Sequence, residues 1–396
     1  MEWANLGHHG AMVVPRHLSS IVLLRAIAAS IVVYDHLVGS WLASAAISWA
    51  PADFLERWLF TPFHLMMHGG GFAVALFFMV SGFIIPYAAF TETLREFVAK
   101  RVLRIFPPLW VSMALLLIVY SVVLGLSAQP WVRGLALERV LTQPNPWPDI
   151  LAASTLANYL LGTPPINGAA WSLIVEMVFY LWVGVTLPLL RAWPRVFLFA
   201  GFALFAALQF GARGAGAACF LLAVNGVYVT YMFLGTLIYL RWARRIGTHG
   251  FLFGTLAFWA LFLRGLDDIV VQAPYVLADY GVSYGLAWVV FALAIATDQH
   301  WSVGRLGGFL SRISYSLYLN HGGLGLLVLA LLAPRLGYLT ALALALALGI
   351  AVSTASWCWV EMPSQRLARR WIARGRRQGR SDDASAFSMA DASEKA

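Results

Sequence analysis

Ten stretches of roughly 20 predominantly apolar residues constrain this chain more than any other feature, because about that length of helix crosses the ~30 Å hydrocarbon core of a bilayer. They fall near 19–43, 69–90, 107–126, 171–190, 195–211, 219–240, 248–264, 275–297, 307–333 and 338–360. The runs are continuously apolar rather than alternating, and a spanning backbone must satisfy its own polar groups, so helices are expected and not the strands of a barrel. With 61% apolar residues, 11% charged residues and a mean hydropathy of +0.75, no polar stretch is long enough to build a soluble domain as well. The expected fold class is all-α: a polytopic membrane protein with about ten transmembrane helices. One membrane domain is expected over residues 1–365. A cytoplasmic tail over 366–396 then reads first as a basic helix able to lie on anionic headgroups and next as disordered polar sequence.

The formal charge is +9. In a soluble protein that excess raises nucleic acid as a partner; in a membrane protein topology explains it, and no nucleic-acid partner is expected. With a cytoplasmic amino terminus, only Arg57, Arg133, Arg139, Arg213, Arg264 and Arg335 of the 27 Lys and Arg fall on the outer side. Arg95, Lys100, Arg101 and Arg104, then Arg241, Arg244 and Arg245, then the run from Arg366 to Arg380 all fall inside, which places both termini in the cytoplasm. The longest outer segment, about 127–170, holds "QPNPWPDI" and "GTPPINGAAW", whose Pro and Gly content argues against a spanning helix. Cys219 and Cys358 lie in apolar runs and are expected to pack rather than to bridge or bind metal.

Charge inside a bilayer costs about 3 kcal/mol at a helix centre, so ionisable residues within these runs are functional candidates by default. The first helix carries three, in "LRAIAASIVVYDHL": Arg25, Asp35 and His36. Eleven residues at about 100° each bring His36 back to within about 20° of Arg25, some ~16 Å further along. One face thus joins a guanidinium near the inner boundary to an imidazole near mid-membrane. Asp35 points about 100° aside and is not expected to be the direct partner of His36. In "FVAKRVLRIFPPLW", Lys100, Arg101 and Arg104 precede Pro107 at the start of the third helix. Arg101 and Arg104, at i and i+3, form one patch suited to phosphate through forked, charge-assisted hydrogen bonds.

"AAWSLIVEMVFYLW" sets Trp171 and Ser172 at the outer interface and Glu176 about a turn and a half inside it, where a buried carboxyl needs a partner or a proton. "SRISYSLYLNH" brings Ser314, Tyr315, Tyr318 and His321 into the ninth helix, and Ser81–Gly82 in "LFFMVSGFIIP" allows close packing or a loosened helix. His64 and His68 have metal-capable i, i+4 spacing, but no acidic or sulfur partner is evident in the pattern; an interfacial role is expected and no metal site.

Taken together and in this order, these residues resemble acyltransferase family 3, membrane proteins that include O-antigen, exopolysaccharide and nodulation-factor acetyltransferases. The resemblance covers about residues 18–365. Its carriers are Arg25 and His36 as R-x10-H, "FFMVSGF", "KRVLRIFP", "WSLIVEMVFY", "SYSLYLNH" and the closing "VEMPSQRL" with Glu361 and Pro363. The resemblance implies a multi-pass protein of the bacterial cytoplasmic (inner) membrane. It implies a cytosolic acyl-CoA donor, usually acetyl-CoA, as substrate with no tightly bound cofactor. The acceptor it implies is a glycan or lipid-linked oligosaccharide, modified at a hydroxyl on the outer side, with membrane lipids and polysaccharide assembly proteins as further partners. The sequence departs from the pattern at Ala73 and Ala75 in "GGGFAVAL", where many relatives keep Gly and a polar residue, and at Asp35 directly before His36.

Attack of a sugar hydroxyl on a thioester needs a base for the hydroxyl proton and compensation for the oxyanion. His36 is the expected base, since imidazole titrates near neutrality. Arg25 is expected to hold the donor's phosphates or to orient the thioester from below, and Glu176 completes the catalytic set while shaping, with Trp171, the acceptor side. Lys100, Arg101, Arg104, Ser314 and Tyr315 are expected to bind the donor. Trp171, Ser172 and His321 are expected toward the acceptor, and Ser81, Gly82, Glu361 and Pro363 in structural motifs. An acyl-His intermediate is the alternative step. Two other classes compete: a transporter whose mid-membrane charges line a permeation path, and a noncatalytic scaffold in a polysaccharide synthesis complex.

Overall fold

The computed structural model describes residues 18–126, 146–211, 216–270 and 277–374. Among these, ten helices are long and apolar enough to cross a bilayer: α1 Ser19–Ala45, α2 Met67–Ala89, α3 Leu94–Val123, α4 Gly168–Val185, α5 Pro194–Gly211, α6 Ala217–Trp242, α7 Thr248–Asp267, α8 Leu277–Ala296, α9 Arg305–Leu336 and α10 Tyr338–Arg374. Ordered secondary structure among the described residues is helical, with no strand, as the apolar runs required. Arg133, Arg139, Arg213, the first part of the long outer segment and the tail from residue 375 lie outside the described residues. An even number of spans sets the start of α1 and the end of α10 at the same end of the bundle, the Ser19 end; the opposite end is the Ala45 end.

α6 is the hub. Every residue from Asn225 to Leu240 is buried, packed by α2, α4, α5, α7 and α8. Lipid supplies no hydrophobic drive between helices, so close association depends on small residues that let backbones meet. Gly82 of α2 meets that need: a methyl group there would run into the Met232 carbonyl oxygen, and one on Gly235 would lie 2.6 Å from the Met79 carbonyl oxygen. Thr236 Oγ1 donates to the Gly82 carbonyl at 3.0 Å, and the helix stays regular through Ser81–Gly82, so this motif is a packing seam rather than a loosened turn. A second group forms around α9, which packs on α1, α3 and α10; α1 also packs on α2 and α8 and so joins the two groups.

Three elements differ from the sequence expectation. α3 begins at Leu94, well before Pro107, so Lys100, Arg101 and Arg104 lie within the helix and not ahead of it. Pro107 and Pro108 each withhold an N–H, but their fixed φ is helical and the helix passes through them. α1 changes pitch at a π-turn over Asp35–Gly39. α10, with its own π-turn over Trp357–Glu361, extends well past the expected span end at 360 and runs unbroken to Arg374. Cys219, exposed, and Cys358, half-buried, are free thiols.

Candidate active site

Nearer the Ser19 end, α1, α2, α3, α4 and α9 converge on a cavity of about 70 Å³. Arg25 reaches it from α1 and donates through Nη2 to Ser314 Oγ of α9 at 2.9 Å; Ser314 in turn donates to the Ser311 carbonyl at 2.8 Å. Arg104 enters from α3, and Glu176 from α4. Glu176 Oε1 accepts from Ser81 Oγ at 2.7 Å and from the Tyr180 hydroxyl at 2.6 Å. Both guanidiniums interact electrostatically with Glu176 and with Glu361 of α10. Glu361 is 4% exposed and accepts from Ser316 Oγ at 2.9 Å and Gln365 Nε2 at 3.2 Å. Two cations therefore lie within electrostatic reach of two carboxylates, and both carboxylates are hydrogen-bonded, a form in which charge is tolerated at membrane depth. The space suits the reacting end of a substrate; ligand pockets that enclose a whole drug-sized molecule run to about 300 Å³ or more.

His36 belongs to a second cavity, about 670 Å³ in volume, between α1, α3, α9 and the segment leading into α4. Its walls are largely apolar, with Leu116, Leu326 and Leu327, and Trp41 and Tyr120 contribute aromatic faces. Asn167 fixes the α4 wall: its Nδ2 donates to Ser112 Oγ at 3.0 Å and to the Leu319 carbonyl at 2.8 Å, while its Oδ1 accepts the Ala169 N–H at 3.0 Å. His36 Nδ1 is 2.8 Å from His321 Nε2, and the two rings lie nearly parallel with centroids 4.8 Å apart. His36 Nε2 is 3.7 Å from Asp35 Oδ2, and Asp35, 1% exposed, also accepts from Ser40 Oγ at 2.9 Å. Asp35 is therefore a direct neighbour of His36, against the sequence expectation. The reason is the π-turn that starts at Asp35: its wider turn rotates each residue through less than the 100° assumed, and such turns recur at functional sites.

Arg25 and His36 share α1 but line different cavities, and the two linings have no residue in common. Tyr318 stands between them. It lines the smaller cavity, its hydroxyl is 2.8 Å from Ser172 Oγ, and its ring centroid is 6.2 Å from that of His321.

The remaining sequence candidates separate. Arg101 and Arg104 do not form one patch. Arg101 is buried, hydrogen-bonded to Glu92 and stacked over Phe97 at 4.2 Å, and Lys100 Nζ closes on the other Glu92 oxygen at 2.8 Å. Of the three, Arg104 alone lines the smaller cavity. Tyr315 lines it too, and its hydroxyl donates to the Ile105 carbonyl at 2.9 Å. Ser172 and Glu176, read toward the outer side, share the cavity of Arg25, because the α4 face that follows Trp171 turns toward α2 and α9. Trp171 itself sits in an aromatic cluster, 5.2 Å from Tyr228 and 6.0 Å from Phe78. Pro363 is exposed. His64 and His68 turn to different carboxylates, Asp279 and Glu56, each at 2.9 Å, and no group of three metal-capable side chains occurs among the described residues.

Sequence reasoning missed Glu92, Asn167 and Tyr180. Tyr180 had a signal, four residues after Glu176 on one helical face. Glu92 and Asn167 act across elements, which spacing along the chain does not register.

Residues 18–360 match the family model described as acyltransferase domain, of the acyltransferase 3 type, and the chain belongs to that family. With its ten membrane-capable helices it is a multi-pass membrane protein of that family. It is 30% identical over 185 residues to Nodulation protein 10 of Rhizobium leguminosarum bv. viciae, a match that covers 45% of this chain and 47% of that protein. The chain thus spans about half the length of this curated relative. No solved structure matches it.

Proposed function

We propose that this chain is an O-acetyltransferase of the bacterial cytoplasmic membrane, with both termini cytoplasmic. It moves an acetyl group from cytosolic acetyl-CoA to a hydroxyl of a cell-surface glycan or its lipid-linked precursor. One observation carries the reading: besides a small cavity lined by two arginines and a glutamate, a larger apolar cavity is lined by an imidazole, His36, that is hydrogen-bonded to His321. Arg25 and Arg104 bind the thioester end of the donor and offset charge on its carbonyl oxygen. Glu176 and Ser314 hold them in place, and Tyr315 supports the donor side. Lys100 and Arg101, closed on Glu92, fix the turn between α2 and α3 at the mouth of the donor path. His36 is the base for the acceptor hydroxyl. The apolar walls of the larger cavity suit a lipid-linked acceptor, whose sugar stacks on Trp41 or Tyr120.

Mass spectrometry of surface glycans from cells with the wild-type protein and with His36→Ala tests this. The acetyl increment is expected with the wild type and absent with the variant. An undiminished increment with the variant refutes the role of His36, and no wild-type-dependent increment on any glycan refutes the acceptor class.

A further inference from the structure

The hydrogen-bond directions around His36 follow from one main-chain group. His321 Nδ1 lies 2.8 Å from the Leu317 carbonyl oxygen, and a carbonyl only accepts, so Nδ1 carries the hydrogen. His321 is 1% exposed and stacked on a second imidazole, a setting for a neutral ring. A neutral imidazole has a single N–H, so His321 Nε2 is an acceptor. His36 Nδ1, 2.8 Å away, must then donate, which leaves the lone pair of His36 on Nε2. The opposite tautomer places that lone pair on Nδ1, shut in between His321 and Gly322, where even an added methyl group would lie 3.3 Å from it.

Nε2 is also the nitrogen that faces Asp35 Oδ2 at 3.7 Å. The Asp35 carboxylate is buried, held by Ser40 Oγ, and set against Gly70, the first residue of the regular helix Gly70–Ala89, where any Cβ would collide with it. The N-terminus of a 20-residue helix favours a negative charge there.

We propose, building on His36 as the base, that the Leu317 carbonyl acts through His321 to set the tautomer of His36, so that Nε2 takes the acceptor's proton, and that Asp35 is the counter-charge of the resulting imidazolium. The acceptor O–H bond breaks as its oxygen bonds to the thioester carbonyl carbon and its proton moves to Nε2. The C–S bond then breaks, and the departing thiolate takes that proton from Nε2, leaving ester, CoA thiol and the starting histidine pair. The 3.7 Å gap to Asp35 closes when Nε2 carries hydrogen, as catalytic hydrogen bonds tighten in the reacting state. His321 and Asp35 are positioning residues, since each acts through the His36 ring and neither touches donor or acceptor.

The test separates this role from packing. Release of CoA thiol from acetyl-CoA is followed in membranes carrying the full chain. His321→Leu removes the acceptor for His36 Nδ1–H and is expected to lower kcat about 100-fold or more, with KM for acetyl-CoA within about twofold. His321→Gln restores a carbonyl oxygen and is expected to recover kcat to within about tenfold of wild type. Asp35→Asn is expected to lower kcat about 10–100-fold in the wild-type background and to add nothing in His36→Ala. Nitrogen-15 NMR of the histidine-labelled, detergent-purified wild type reads the tautomer without a variant: hydrogen on Nδ1 of His36 is expected at alkaline pH. Hydrogen on Nε2 overturns the proposal, as does a Gln variant no better than the Leu variant or full activity in Asp35→Asn. Wild-type turnover in His36→Ala would instead refute the base assignment on which the proposal rests.

Discussion

The two cavities of this protein solve opposite problems. The smaller, about 70 Å³, is crowded with charge: Arg25, Arg104 and Glu176 line it with Ser81 and Ser314, and Glu361, held by Ser316, acts on both guanidiniums from behind its wall. The larger, about 670 Å³, is mostly apolar and is lined by His36, with His321 and Asp35 beside that ring. Charge at membrane depth is retained where it is matched locally, and the proposed base stands where few polar groups compete for it. In the proposed function, electrostatic work and proton transfer fall to different stretches of α1. Tyr318 lines the smaller cavity and reaches the larger only through His321, which is hydrogen-bonded to His36.

On that division, substitutions in the two cavities damage different kinetic constants. His36→Ala has the largest expected effect, a loss of about 10²–10⁴-fold in kcat with donor affinity unchanged. Glu176→Ala comes next: it strands Ser81 and Tyr180 and leaves two guanidiniums facing one carboxylate, with an expected loss of about 1–3 kcal/mol in stability, read as a lower thermal midpoint in detergent. Arg104→Ala is expected to raise KM for acetyl-CoA about tenfold without touching the histidine pair. Leu326→Trp narrows the larger cavity and is expected to raise the acceptor KM a few-fold while leaving the donor KM alone; an equal rise in both would merge the two cavities into one site. Smallest of all, Arg101→Ala is expected to leave the donor dissociation constant within about twofold, because its guanidinium already serves Glu92.

The number and type of helices were legible in the sequence because about 20 continuous apolar residues have few other ways to cross a bilayer. Arg25, Arg104, Glu176, Ser314 and His36 were legible because charge and polarity stand out against that background. Their grouping was not. The 100° rule places Arg25 and His36 on one stripe, but packing of α3, α4 and α9 divides that stripe between two cavities, and a π-turn at Asp35 breaks the rule where it mattered most. Arg101 and Arg104 share a helical face by spacing, yet Glu92, nine residues away across a turn, draws one of them out of the site. Gly82 was recognisable as a packing residue; its partner, the Met232 backbone, is a tertiary fact.

The central claim is that donor binding and proton abstraction are separable. Its most direct test is the acetyl-CoA dissociation constant and the first-turnover rate of CoA release, measured together on purified His36→Ala. The account predicts a wild-type dissociation constant with the first turnover almost abolished. A wild-type first turnover, or loss of donor binding together with activity, would contradict it.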